Sequence, residues 1–195
     1  MIKSKNKFKA LAKDNSFSIM SFNSQLSYFS GGKKEEVQTH QSKIIHFLNQ
    51  ENADVLCLQE ARKGITSNLN HPYKAIIGFS QIYSKYEIIS AKEIVFNESS
   101  TNNSFYADLL IQRDTIRIYN LHLESLHLGN DDYRLLKEWD EEPFDEQLQN
   151  KTQKLSNKIS KASNKRVSQV EKITESVNSS PYPTLCLLYT SPSPR

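Results

Sequence analysis

Cysteine is scarce: Cys57 and Cys186 are the two in 195 residues, far below the density of a small disulfide-stapled secreted scaffold. Cys57 lies inside an apolar run, which is compatible with a reducing compartment. Long apolar runs are missing too. No window approaches the ~18 consecutive apolar residues of a membrane span, and residues 1–13 lack the apolar core of a signal peptide. Neither sign of charge dominates: 25 Lys+Arg stand against 22 Asp+Glu for a net +3, too little to mark a dedicated nucleic-acid binder. No G-x-S-x-G elbow, P-loop or zinc-ligand spacing occurs, so serine-nucleophile chemistry has no positive support. There is no internal repeat. What remains, 37% hydrophobic and 24% charged residues, is the composition of one soluble domain with a sizeable core.

The elements can be read along the chain. Ser16 to Asn23, rich in Phe and Ile, predicts a strand ending at Asn23, followed by a turn at Gly31-Gly32. From Lys34 to Glu51 the apolar Val37, Ile44, Ile45 and Leu48 fall at helical spacing, predicting an amphipathic helix. Asp54 to Glu60 is an apolar run capped by polar residues, the pattern of a strand buried on both faces. Strand, helix, strand implies an α/β layout. Short strands are then predicted at Tyr73–Ile77, Gln81–Tyr83, Glu87–Val95 and Phe105–Gln112, a series that suggests antiparallel pairing. Arg113-Asp114 separates the last of these from Thr115–Leu123, giving a hairpin whose second strand delivers His122 to its end. Asp131 to Asp145 is acidic. Glu146 to Val177 predicts a long, mostly solvated helix, stopped by Ser179-Ser180-Pro181-Tyr182-Pro183, with a new strand beginning near Thr184.

Asn23, Glu60 and His122 each close a predicted strand, and open α/β sheets bind ligands at that edge. A hard cation such as Mg²⁺ takes carboxylate and amide oxygens and keeps several waters, so Glu60 with Asn23 is a credible partial shell. His122 beside them would donate to a phosphoryl oxygen as charge builds on it. Arg166 and Gln169 on the long helix are candidates to reach a phosphate. Taken singly, each has an ordinary reading as a turn, cap or solvated surface residue. The case rests on the three strand ends together.

In order, SIMSFN ending at Asn23, ADVLCLQE ending at Glu60, IYSKYEI at Ile82 to Ile88 and IRIYNLHLES at Ile116 to Ser125 resemble the successive blocks of the endonuclease/exonuclease/phosphatase superfamily. The resemblance runs from about Phe17 to Pro183, its last part being KRVSQVEKI and SSPYP. It implies a four-layer α/β sandwich, two packed mixed sheets flanked by helices. It also implies Mg²⁺-dependent hydrolysis of a phosphodiester or phosphomonoester, with Mn²⁺ as a substitute ion. Glu60 and Asn23 would build the metal site and His122 would contact the scissile phosphate. Asn120, on the same strand face as His122, joins it as a catalytic candidate in a supporting role. The implied partner is a phosphate-ester substrate, nucleic acid or a phospholipid head group; no protein partner is implied and a monomer is expected.

After SSPYP the family pattern calls for an apolar strand ending in Gly-Asp-Phe-Asn and, later, an Asp-His pair. Here Thr184-Leu185 is followed by CLLYTSPSPR, which resembles the translation of a transposase sequencing adapter. The expected organisation is therefore a basic leader over 1–15, a partial domain over 16–185 and a non-native tail over 186–195. The intact parent is expected to be the enzyme, and this chain, missing those blocks, to be poorly folded and inactive. Lys3, Lys5, Lys7, Lys9 and Lys13 suit a solvated leader, or a segment on anionic lipid if a membrane anchor precedes it in the parent; localisation stays open. The alternative reading is a non-catalytic module that binds nucleic acid or anionic lipid through Lys151, Lys158 and Lys165. A long read of the source locus across codon 184 is expected to continue into Gly-Asp-Phe-Asn; a genomic CLLYTSPSPR followed by a stop would refute the adapter reading.

Overall fold

The computed structural model describes residues 16–24, 34–61, 68–96, 102–126, 128–138 and 146–189. The leader over 1–15, the Gly31-Gly32 turn and residues 190–195 lie outside them. Eleven elements follow in order: β1 (Ile19–Asn23), α1 (Lys34–Glu51), β2 (Val55–Gln59), β3 (Tyr73–Ile77), β4 (Ser80–Ser84), β5 (Glu87–Glu93), β6 (Phe105–Ile111), β7 (Asp114–His122), α2 (Asn130–Glu138), α3 (Glu146–Asn178) and β8 (Thr184–Tyr189). They form two four-stranded sheets, in the orders β1-β2-β4-β3 and β5-β6-β7-β8. Both sheets are mixed, with β1 parallel to β2, β7 parallel to β8, and the other pairs antiparallel.

Side-chain alternation sorts the layers. Leu56 and Leu58 of β2 point outward and pack with Ile44 and Leu48 of α1. Val55 and Cys57 point inward and meet Phe105, Ala107, Leu109 and Ile118 of the second sheet. On the far side Tyr119 and Leu121 of β7 pack with Ile173 of α3. The result is α1, sheet, sheet, α3: the expected four-layer α/β sandwich. Strand β2 is buried along its whole length, as its unbroken apolar run predicts. Burial of this kind pushes the Cys57 thiol well above its ordinary pKa, which leaves it an inert core residue.

Two features depart from the sequence reading. Helix α2 was not anticipated in the acidic stretch. Its start is a reach-back cap, the Gly129 N–H donating to Asp132 Oδ2 at 2.7 Å while Tyr133 N–H donates to Gly129 O at 3.1 Å, a pattern present in the sequence as G-N-D-D. The β6–β7 turn falls at Gln112-Arg113, one residue early, because Ile111 pairs with Asp114 and Gln112 takes the left-handed φ of +60°. Strand β8 begins at Thr184, as expected, and continues through Cys186–Tyr189, which pair with Tyr119–His122. No helix among the described residues is long and apolar enough to cross a membrane.

Asp54 ties the start of the first sheet together. Its Oδ2 accepts from Ser18 N–H and Ser18 Oγ, both at 2.8 Å, and its Oδ1 accepts from Lys85 Nζ at 3.1 Å. Partial burial raises the Asp54 pKa, but the hydrogen bonds from Ser18 and the nearby Lys85 ammonium outweigh it and hold the carboxyl below its ordinary value. A carboxylate with a depressed folded pKa contributes stability that is present above the unfolded value and lost as pH falls. Wild type is therefore expected to lose urea stability below about pH 5 more steeply than Asp54→Asn; parallel pH profiles of the two would refute this role.

Candidate active site

The site forms where three strands from two sheets end at one edge. Parallel pairing of β1 with β2, Asn23 opposite Gln59, brings the ends of both strands to the same place. Glu60 follows β2 directly and holds φ at +53°, a left-handed conformation that costs a non-glycine residue on the order of 1 kcal/mol and clusters at functional sites. Its backbone is braced: Ser24 Oγ donates to the carbonyls of Gln59 and Glu60, each at 3.1 Å, and Ala61 N–H donates to Phe79 O at 2.9 Å. Asn23 Nδ2 donates to Glu60 Oε1 at 2.8 Å. From the second sheet His122, at the end of β7, brings Nε2 to 3.5 Å from the same Oε1. The structure thus brings Asn23, Glu60 and His122 together.

His122 is buried, and burial lowers its pKa below the ordinary imidazole value despite the opposing pull of the Glu60 carboxylate. Its backbone is fixed by Ser104, whose Oγ accepts from His122 N–H at 3.0 Å. Asn102 Nδ2 donates to Leu123 O at 2.6 Å. Sequence reasoning missed Ser24, Ser104 and Asn102. Each touches the backbone of a site strand across a long sequence separation, and no local signal marks such a contact.

Asn120 lies on the same face of β7 as His122, two residues before it. Sequence alternation put it with His122 among the catalytic candidates, but its side chain is 0% exposed and fully engaged between the sheets. Nδ2 donates to Leu58 O and Gln81 O, both at 3.0 Å, and Oδ1 accepts from Gln59 Nε2 at 2.6 Å. Asn120 is a positioning residue that sets the sheets against one another next to the site. Arg166 and Gln169 also sit one shell back. Arg166 Nε donates to Glu124 O at 2.7 Å, and Gln169 Oε1 accepts from Glu124 N–H at 2.8 Å. They anchor α3 to the chain just beyond His122.

Among the described residues no group of three or more His, Cys, Asp and Glu side chains forms a metal cage. Glu60 is the carboxylate of the Asn23–Glu60–His122 cluster. One carboxylate beside an amide and an imidazole suits an ion that fills most of its shell with water and substrate oxygens, as Mg²⁺ does.

Removing the Asn120 side chain takes away the nearest acceptor of Gln59 Nε2 and the amide donor to two buried carbonyls, and a buried group left unsatisfied costs about 1–3 kcal/mol. Asn120→Ala is expected to destabilise the chain by about 1–3 kcal/mol, read as a lower urea midpoint with unchanged m. A loss below about 0.5 kcal/mol, the level of an ordinary surface substitution, would remove Asn120 from this role.

Neither a protein-family model nor a curated protein sequence matches the chain. Among solved structures it is similar to truncated TDP2 from Caenorhabditis elegans, at 18% identity and a TM-score of 0.47 over 64% of this chain and 52% of that one. It is similar to sphingomyelinase C from Streptomyces griseocarneus, at 18% identity and 0.47 over 58% and 51%. A third similar structure, at 9% identity and 0.41 over 66% and 62%, is a protein from Leptotrichia buccalis. The chain therefore spans about half the length of the first two. The Leptotrichia protein is described as an endonuclease/exonuclease/phosphatase family protein.

Proposed function

We propose that Asn23, Glu60 and His122 are the first half of a divalent-cation-dependent phosphoesterase site that hydrolyses phosphodiesters or phosphomonoesters. The observation that carries this reading is the meeting of an amide, a carboxylate and an imidazole from three strands of two sheets at Glu60 Oε1, at 2.8 and 3.5 Å. Glu60 and Asn23 would hold Mg²⁺, or Mn²⁺ in its place, and the ion supplies neutralisation of the phosphoryl charge.

The chain's own residues orient and brace the groups around it. The Asn23 amide fixes the rotamer of Glu60, and the left-handed backbone at Glu60 is held by Ser24 and Ala61. His122, kept toward its neutral form by burial, presents a ring N–H to a phosphoryl oxygen, an interaction that strengthens as negative charge accumulates there. Strands β2 and β7 are braced on both sides, so these groups need little reorganisation when the ester binds. By the sequence resemblance, an Asp that orients the attacking water and a second His would be supplied by Gly-Asp-Phe-Asn and Asp-His blocks.

Manganese binding tests the metal assignment without turnover. Electron paramagnetic resonance of Mn²⁺ titrated with the chain is expected to show a bound ion that Glu60→Gln weakens at least tenfold. In the parent protein carrying the full set of blocks, Glu60→Gln should lower kcat/KM for a generic phosphodiester on the order of a thousandfold, about 4 kcal/mol. Near-normal activity, or Mn²⁺ binding indifferent to the substitution, would remove Glu60 from the metal site.

A further inference from the structure

From Gln147 to Val170 the chain carries Lys151, Lys154, Lys158, Lys161, Lys165 and Arg166 and no acidic residue. This one span of α3 holds more positive charge than the net +3 of the whole chain. The five lysines follow at alternating steps of three and four residues, the spacing that stacks side chains along one helix face. The buried Leu155, Ala162, Gln169 and Ile173 make the neighbouring stripe. By helical geometry the exposed Val167 and Val170 fall on its opposite flank. The lysines thus form a straight ridge with no large apolar side chain in it.

One end of the ridge sits beside the candidate site. Lys165 Nζ is 3.5 Å from Glu124 Oε1, and Arg166 and Gln169 grip the Glu124 backbone, two residues past His122. Farther along, the Tyr119 hydroxyl meets Ser176 Oγ at 3.1 Å. Moving up β7 from Tyr119 to Glu124 therefore corresponds to moving back along α3 from Ser176 to Gln169. The helix before Lys165 continues in that direction, past the strand ends on the side of the site. From Lys165 to Lys151 it extends about 21 Å at a rise of roughly 1.5 Å per residue. Lys158 is taken by Asp132 of α2 at 2.7 Å. Lys151, Lys154 and Lys161 are exposed and make no ion pair among the described residues.

Lys151, Lys154 and Lys161, spread over about 15 Å of one helix face, complement a polyanion whose charges also recur along a line, as those of a nucleic-acid strand do. A lipid surface fits less well, because the apolar stripe of α3 is buried inside the protein and cannot enter a bilayer interface. We propose that the lysine ridge of α3 is a track for the sugar-phosphate backbone of single-stranded nucleic acid, leading it to the phosphate site at Asn23, Glu60 and His122. The proposal rests on the phosphoesterase reading for where the track ends, and adds the class of substrate.

Fluorescence anisotropy in EDTA, with labelled oligothymidylate and oligouridylate of about 20 nucleotides, tests the track with no metal or turnover involved. Binding of either is expected to weaken with salt. The triple variant Lys151→Gln/Lys154→Gln/Lys161→Gln should reduce the slope of log Kobs against log[salt] by about 2, since each phosphate left unneutralised takes about 0.7 from the slope on a single strand. The corresponding Lys→Arg variant should keep the slope, as should Lys3→Gln/Lys5→Gln/Lys7→Gln, which removes the same charge elsewhere. The proposal is overturned by equal reductions in the ridge and leader variants, by no reduction in the ridge variant, or by wild type that binds neither oligonucleotide. Tighter binding to phosphatidylserine vesicles than to either strand would overturn it in favour of a membrane. Failure of the track leaves the Mn²⁺ result standing, and failure of Mn²⁺ binding leaves the track standing.

Discussion

The hydrogen bond between Gln59 and Asn120 is the constraint that governs the site. Two side-chain amides, both 0% exposed, meet across the gap between the sheets at 2.6 Å. The Asn120 amide then reaches the carbonyls of Leu58 and Gln81 in the opposite sheet. A sandwich interface made only of apolar side chains tolerates small slides of one sheet over the other, because dispersion and burial are non-directional. Buried amides do not tolerate them, since each hydrogen bond broken without water to replace it costs about 1–3 kcal/mol. Gln59 is the residue before Glu60, and Asn120 is two residues before His122 on the same strand face. Locking the first pair therefore locks the second.

Around this lock the strand ends are held from outside by groups on other elements. Ser24 fixes the turn at Glu60, Ser104 fixes the backbone of His122, Asn102 fixes Leu123, and α3 fixes Glu124. The strained backbone at Glu60 is sustained by these neighbours, as expected where a rare φ is over-determined by its surroundings. Charge is arranged with the same economy. The acidic stretch before α3 contributes Asp132 to one lysine of the helix, while the ridge beside it stays positive. A chain whose net charge says little about its partner thus carries one strongly basic helix.

Much of the fold was legible because its signals are local. Helix α1 and strand β2 were readable from periodicity and from an unbroken apolar run, and both fall where expected. Helix α2 was overlooked because it is only nine residues long, too short for its three apolar residues to show a helical period, and its start is marked by a side-chain cap. Strand β4 is buried along its length although Ser80, Gln81 and Ser84 are polar. They are satisfied by partners such as Ala61 O and Asn103 O, which lie far away in sequence. The strand face of Asn120 follows from alternation, but its partners Gln59, Leu58 and Gln81 on the other sheet do not, for alternation gives the direction of a side chain and not what lies opposite it.

Local pattern was enough to give the order and type of most elements, and the polar residues that close β1, β2 and β7, because periodicity and strand-ending polar residues are properties of neighbouring positions. It took the folded arrangement to make Asn23, Glu60 and His122 meet at one carboxylate oxygen, to turn Asn120 into a lock between the sheets, and to bring α3 against Glu124. Those facts depend on sheet pairing and sheet-to-sheet register. Register in turn is set by burial and hydrogen bonding between residues some forty to sixty positions apart, a distance over which no sequence pattern carries geometry.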